Sequence, residues 1–257
     1  MRNLKILFLL ILTTVCKVKA IAGGHPGQSP HQVFIKGLEG WRTRCSGTII
    51  SDRLILTAAW CVDDTIPDKL TVVAGVTDVN SDKALVFRIT KITQHPDYVC
   101  CSDYEHDLAV LETLHRIPVE EDDRVEAALL PDNNEVGASL AGTMIHVGGW
   151  GRVSSSSNYH NHRDHQVIEI PIRSDRDCND EHNGWLQTYY YPASMFCAGS
   201  PGTAPCGGDY GAGAIRQRDG EAPRILGTFV SLSWNRDCDG PGLFTMDILW
   251  LQRRYKS

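Results

Sequence analysis

The chain has 257 residues, and its apolar content of 42% is ordinary for a globular protein and argues against disorder. That length suits one large domain or two small ones. A formal net charge of −6 makes the chain a poor partner for nucleic acid or for an anionic membrane surface.

The first twenty residues have the features of a secretory signal peptide. A basic start at 1–5 precedes an apolar run at 6–12, and Val18-Lys19-Ala20 offers a small-residue cleavage site. The apolar run is far shorter than the roughly 20 residues that span a bilayer, which disfavours a membrane anchor. We expect a secreted, extracellular protein beginning at Ile21, or keeping a short pro-segment if cleavage falls nearer Cys16. Cleavage after Ala20 removes four basic residues and no acidic ones, so the net charge becomes −10.

Short β-branched runs separated by Gly, Pro, Asp and Asn follow from Val33 onward. Many short strands with turn signals between them predict antiparallel barrels or a sandwich. A polar stretch at 120–134 is the best candidate for a connection between two halves. Residues 247–256 favour a helix with apolar contacts and basic residues in its last turns. The strand-like runs are 47–50, 54–57, 70–73, 108–111, 143–147 and 225–230.

A series of short motifs follows in a fixed order along the chain, and together they resemble the chymotrypsin-like serine proteases over almost all of 21–257. Each motif is modest alone, but the full set is specific. The motifs are Ile21-Ala22-Gly23-Gly24, Leu56-Thr57-Ala58-Ala59-Trp60-Cys61, Asp107-Leu108-Ala109-Val110-Leu111, Gly148-Gly149-Trp150-Gly151, Cys206-Gly207-Gly208-Asp209-Tyr210-Gly211 and Ser233-Trp234 before Cys238. The resemblance implies two antiparallel six-stranded β-barrels, at about 21–130 and 131–257, with a C-terminal α-helix.

The resemblance places the catalytic triad at Trp60, Asp107 and Tyr210, where the family has histidine, aspartate and serine. An indole can only donate a hydrogen bond, so Trp60 cannot take up a proton. A phenol ordinarily titrates near pH 10, and Tyr210 has no base beside it in this pattern. Loss of either the serine or the histidine from such a triad lowers kcat by about a million-fold. We therefore predict that the chain is not an enzyme and that both aromatics fill the former cleft.

Other family positions can be assigned by the same resemblance. The ammonium group of Ile21, once freed, is expected to pair with Asp209 and so shape an oxyanion hole at Gly208 and Tyr210. Ala204 at the base of the specificity pocket offers no carboxylate, and Asn235 replaces a glycine on its wall, so the pocket should be narrowed. The former pocket positions are Ala204, Ser233, Trp234, Asn235 and Gly242.

Eight cysteines remain after residue 20, an even number that predicts disulfides in a secreted chain. The resemblance pairs Cys45 with Cys61, Cys178 with Cys197, and Cys206 with Cys238. Cys100 and Cys101 have no counterpart in the family. A vicinal bridge or another buried structural role, free thiols, and a bond to a second chain all remain open for them.

The spacing of the histidines predicts no metal site, and no cofactor is expected. His160, His162 and His165 share a segment with Asp164, but no regular element fixes their spacing, so we expect a solvated loop. His106 adjoins Asp107, yet neighbours on an extended segment point to opposite sides, which argues against His106 as a replacement base.

Within the family, the short chain with a doubly altered triad most resembles the scabies mite inactivated serine protease paralogues, which are similar to a dust-mite allergen group. That resemblance implies binding of host complement recognition components: the first-component recognition subunit, mannose-binding lectin and properdin. One alternative is a residual hydrolase that uses Tyr210 or another group. A second is a decoy that binds protease inhibitors or substrates through the degenerate cleft.

Overall fold

The computed structural model describes residues 21–38, 44–100, 104–132, 140–152, 164–182, 190–232, 238 and 240–255. Within these ranges the chain folds into two β-sheets and two short α-helices. The predicted signal peptide lies outside them. The strands are β1 (His25–Pro26), β2 (Gln32–Gly37), β3 (Arg44–Ile49), β4 (Leu54–Thr57), β5 (Leu70–Ala74), β6 (Leu85–Gln94), β7 (Ala109–Thr113), β8 (Met144–Gly149), β9 (Gln166–Pro171), β10 (Met195–Ala198), β11 (Gly213–Arg216), β12 (Arg224–Ser231) and β13 (Gly242–Thr245), and the helices are α1 (Asp175–His182) and α2 (Ile248–Tyr255).

The first sheet is a closed, antiparallel six-stranded barrel in the order β2-β3-β4-β7-β6-β5. Its strands are short and β-branched, and side chains that alternate inward form one apolar core. Val33, Val72 and Leu111 come from three of these strands and are fully buried in that core. Closure leaves the barrel no open edge and sets the ends of β4 and β7 side by side.

The second sheet has the order β1-β9-β8-β11-β12-β13-β10. A bridge between Ile172 and Ala198 links the end of β9 to the end of β10, so strands β8 to β13 come round almost to a closed barrel. Phe229 and Phe244 are fully buried in its core. These features confirm the predicted chymotrypsin-like fold class.

The N-terminal segment crosses from one half of the molecule to the other. Strand β1 at His25–Pro26 pairs with β9 of the second sheet, although the sequence interpretation assigned everything from residue 21 to about 130 to the first barrel. The crossing holds the segment that starts at residue 21 against the second half, where Ala22 forms a bridge with Ala204.

One of the two α-helices was predicted from the sequence and the other was not. Helix α2 was predicted, and its buried Leu251 packs in one cluster with Leu108 and Ile215, so it contacts both halves. Helix α1, which follows β9, was not predicted from the sequence. Neither helix, nor any other in the described ranges, is long and apolar enough to cross a membrane.

All three predicted disulfides form, joining Cys45 to Cys61, Cys178 to Cys197 and Cys206 to Cys238. Bridges that close loops of this size stabilise a fold by roughly 3 kcal/mol each in the chain-entropy model. Cys100 is exposed, and Cys101 lies outside the described residues, so the pairing of these two stays a prediction.

Candidate functional site

Asp107 lies just before β7 and is almost completely buried. Its Oδ1 accepts the backbone N–H of Trp60 at 2.9 Å. Burial raises the pKa of Asp107 to about 7, against the lowering effect of hydrogen bonds from the amides of Trp60 and Ala59. The carboxyl therefore holds the backbone of the turn at Ala59–Cys61, in which the Cys45–Cys61 bridge also ends.

The side chain of Trp60 meets the side chain of Tyr210 edge to face. Their ring centroids lie 4.9 Å apart at an interplanar angle of 78°. The indole is 41% exposed, whereas the phenol ring is partly buried and stacks on Phe229 at 5.3 Å with an angle of 2°. The two residues that the resemblance aligns with the family's base and nucleophile therefore contact each other.

Tyr210 also joins the two halves of the molecule. Its ring packs against the apolar cores of both the first barrel and the second sheet. Its carbonyl oxygen accepts the amide of Ser46 in β3 at 2.7 Å. Tyr210 is therefore a structural link between the two halves, whatever its chemistry.

The turn around Tyr210 depends on two glycines with positive φ, Gly208 at +103° and Gly211 at +83°. A Cβ atom on Gly211 would lie 2.2 Å from the carbonyl oxygen of Ser46, so no larger residue fits there. The backbone path of the former nucleophile loop and oxyanion-hole segment is thus built tightly against β3.

Asp209 is fully buried and is held by two backbone amides. Gly151 N–H donates to its Oδ1 at 2.7 Å and Cys206 N–H to its Oδ2 at 2.9 Å. Burial raises the pKa of Asp209 to about 7, although both amides act to lower it. A carboxyl in this setting is stabilised strongly by any cation that can reach it.

Ile21 is hydrogen-bonded beside the segment that binds this carboxyl. It is fully buried, and its amide donates to the carbonyl oxygen of Arg152 at 3.2 Å, one residue beyond the Gly151 amide that binds Asp209. Here Ile21 is a mid-chain residue with a φ of +57°, which is unusual for a β-branched side chain. Cleavage before Ile21 would remove that restriction and create a positive charge beside Asp209.

The structure describes part of the former specificity pocket. Ala204 is fully buried and bridges to Ala22. Gly242 begins β13, and a Cβ there would lie 2.8 Å from Cε2 of Phe229. Ser233, Trp234 and Asn235 lie outside the described residues, so narrowing of the wall at Asn235 stays a prediction.

The expectation of a solvated loop is wrong for His165, which is 2% exposed. Its Nδ1 donates to the carbonyl oxygen of Gly27 at 2.8 Å, and its ring packs against Trp150 with centroids 4.4 Å apart. Burial lowers the pKa of His165 to about 4, so the ring is neutral. His160 and His162 lie outside the described residues.

His106 is in a turn with a φ of +57°, and not on the extended segment that the sequence argument assumed. It contacts His95 and Asp247, and these three residues form a polar cluster that sequence reasoning missed. Asp247 is 141 residues from His106 along the chain, so no local spacing could have revealed the cluster. Pairing of β6 with β7 was the one available hint, because it brings the ends of both strands together.

Comparison with known proteins agrees with this architecture. A family model described as Trypsin matches residues 21–247. Trypsin zeta of Drosophila melanogaster is 28% identical over 234 residues, covering 86% of this chain and 78% of that protein. Fibrinolytic enzyme isozyme C of Lumbricus rubellus and trypsin-2 of Salmo salar are each 27% identical, over 86% of this chain and 91% and 87% of their own lengths.

Proposed function

Because this chain belongs to the trypsin family, we propose that it is a secreted, catalytically inactive member that acts by binding another protein. The observation that carries the proposal is the contact between Trp60 and Tyr210. Where a serine protease needs a proton acceptor beside a hydroxyl nucleophile, this chain presents an indole, which has no basic nitrogen. The acid beneath it, Asp107, binds backbone amides of the turn.

The same observation weighs against both alternatives. A residual hydrolase would need a base near the phenol of Tyr210, and the aromatic rings that pack on Tyr210, those of Trp60 and Phe229, are not bases. A decoy that takes inhibitors or substrates into the cleft needs an open cleft, whereas the catalytic end is filled by two packed rings. Binding through a surface of the fold remains as the mode of action.

For the partner we propose host complement recognition components, on the strength of the resemblance to the mite paralogues. The first-component recognition subunit, mannose-binding lectin and properdin are the candidates. Purified chain 21–257 should inhibit complement-mediated lysis of sensitised erythrocytes at micromolar concentration. Reduced and alkylated chain, which lacks the three disulfides, is the control. Equal lysis with and without the folded chain would remove complement from the proposal and leave the loss of catalysis untouched.

The purified chain should show no serine-protease activity. A fluorophosphonate probe for active serines should leave purified chain 21–257 unlabelled, while an active trypsin treated in parallel is labelled. On a panel of peptide substrates, turnover should lie at least about a million-fold below that of the trypsin.

Tyr210→Phe is the matched control for the phenol, because it keeps the ring and removes only the hydroxyl. Peptide hydrolysis by the parent chain that disappears in Tyr210→Phe would contradict the proposal and establish the residual hydrolase. Trp60→His combined with Tyr210→Ser restores the two side chains, and we expect little turnover of Lys or Arg peptides even then, because Ala204 leaves the pocket without a carboxylate to bind their side chains.

A further inference from the structure

We propose that His95, His106 and Asp247 bind a divalent transition metal ion of the zinc class. This histidine–aspartate cluster does not include Trp60 or Tyr210 and does not depend on the proposed function. His95 directly follows β6, His106 lies three residues before β7, and Asp247 directly precedes α2. A metal there would tie the first barrel to the C-terminal helix.

The distances suit a metal after small movements. His95 Nε2 lies 3.3 Å from Asp247 Oδ2, and His106 Nδ1 lies 2.6 Å from the same oxygen. The ligand atoms of all three residues are within 4.8 Å of one another. Ligands about 2.0–2.2 Å from a tetrahedral zinc ion are themselves roughly 3.3–3.5 Å apart. Of the two histidine–aspartate pairs, one already has that separation and the other needs to open by roughly 0.8 Å.

Packing holds both imidazoles in place. The two rings stack with centroids 4.6 Å apart and an interplanar angle of 9°, and Trp250 of α2 packs on His95 at 4.9 Å. His95 is buried, whereas His106 and Asp247 keep about a quarter and a fifth of their side chains exposed. The cluster therefore has rigid walls and one side open to solvent, through which an ion can enter.

The backbone is strained at one residue of the histidine–aspartate cluster. His106 has a φ of +57°, in the left-handed region that non-glycine residues seldom adopt. Residues held in such conformations concentrate at functional sites, where the surroundings fix a side chain in one required position. The strain at His106 directs its ring to Asp247 and His95 although its neighbour Asp107 is buried beneath Trp60.

The second ring nitrogen of His106 faces an acid. Its Nε2 lies 3.9 Å from Oε1 of Glu105, and that oxygen accepts the hydroxyl of Ser194 at 2.8 Å. Histidines that bind metals commonly direct their other nitrogen to a carboxylate, which fixes the ring and raises its basicity. Glu105 is placed to do this once Nδ1 of His106 carries the metal.

Metal binding must shift the ring protons of both histidines. His95 Nδ1 accepts the amide of Asp97 at 3.2 Å, so the ring proton of neutral His95 is on Nε2 and points to Asp247. The hydrogen bond from His106 Nδ1 also ends on Asp247. An ion bound at these two nitrogens would shift each ring proton to the other nitrogen of its imidazole, so the Asp97 amide would have to turn away. Because a doubly protonated imidazole cannot bind a metal, we expect binding to weaken as pH falls.

The ligand set selects the class of ion. Two imidazoles and one carboxylate suit zinc, copper and nickel, whereas calcium and magnesium prefer sets made only of oxygen. Three protein ligands leave at least one coordination position open, so the ion should exchange with chelators in solution.

Calorimetric titration of ZnCl₂ into purified chain 21–257 at pH 7.5 tests the proposal. We expect one ion per chain, bound more weakly when the titration is repeated at a lower pH. His106→Ala and Asp247→Asn should each weaken zinc binding at least tenfold. Co²⁺ in place of Zn²⁺ should give the visible absorption of a site with nitrogen and oxygen ligands.

Two controls separate this cluster from other zinc ligands and from loss of folding. The double variant His160→Ala/His162→Ala removes two histidines of the segment near His165 and should bind zinc as the parent does. Near-ultraviolet circular dichroism checks that each variant is folded, and Asp247→Asn keeps the size and hydrogen-bonding oxygen of the aspartate. Equal binding by the parent and a folded Asp247→Asn variant, loss of binding only in the His160/His162 variant, or no stoichiometric binding by the parent would each overturn the proposal.

Discussion

A chain that begins at Ile21 should be more stable at pH 7.5 than the same chain beginning at Val18, by about 4 kcal/mol. In the longer chain Asp209 is buried between two amides with a pKa of about 7. Its pKa in the unfolded chain is about 3.8, and a shift of roughly three units corresponds to about 4 kcal/mol of lost stability once the carboxyl ionises. A free ammonium group at Ile21 offsets that loss by pairing with the carboxylate.

The sign of the pH dependence follows from the direction of the shift. Because the folded-state pKa of Asp209 is raised, the contribution of this carboxyl to the stability of the longer chain is most favourable below about pH 4. That contribution should be lost as pH rises from about 4 to about 7. Asp107 adds a similar loss in both chains, since burial raises its pKa to about 7 as well. The difference in the free energy of unfolding between the two chains therefore reports the effect of Asp209.

Urea unfolding of both chains between pH 4.5 and 8 measures this difference. Asp209→Asn is the matched control, because an amide cannot ionise and cannot form an ion pair, so it should remove most of the gap between the two chains. Equal stability of the two parent chains at pH 7.5 would show that the Ile21 ammonium does not reach Asp209.

Tyr210→Ala should cost about 3 kcal/mol of folding free energy, near the lower end for truncation of a core aromatic residue. Its ring stacks on Phe229, meets Trp60 and packs against both cores. Truncation would leave a cavity where the two halves of the molecule meet. The loss should appear as a lower urea midpoint with an unchanged slope.

Two companion variants test the reason for that loss. Trp60→Ala should cost less, about 1 kcal/mol, because the indole is 41% exposed and lies at the rim of the contact. Tyr210→Phe keeps the ring and should lie within about 1 kcal/mol of the parent. A cost for Trp60→Ala as large as that for Tyr210→Ala would mean that the indole, and not the phenol, links the two halves.

Most strands of the first barrel could be predicted from the local pattern of β-branched residues. Runs such as 54–57 and 70–73 have enough β-branched residues to form strands wherever they pair, and they appear as β4 and β5. Strand β6 was not singled out, because its alternation of apolar and polar residues is broken between Ile89 and Lys91, where the register with β7 shifts. The motif residues Asp107 and Asp209 are both buried.

Features that depend on distant contacts were not predictable in the same way. The burial of His165 depends on Gly27 and Trp150, which come from other parts of the chain. The pairing of β1 with β9 depends on the N-terminal segment crossing to the second half. The histidine–aspartate cluster forms only when the C-terminal segment folds back onto the end of β6. Spacing along the sequence carries no signal for contacts of this kind.

The edge-to-face pair of Trp60 and Tyr210 also constrains how this chain can evolve. Trp60→His alone would set an imidazole against a phenol, with no serine to activate. Tyr210→Ser alone would supply a hydroxyl without a histidine and would empty the space beside Phe229. Neither single step creates a histidine–serine pair, and the second weakens the fold. A lineage that carries both aromatics would therefore have to pass through variants that are still inactive, or less stable, before selection for peptide cleavage could act.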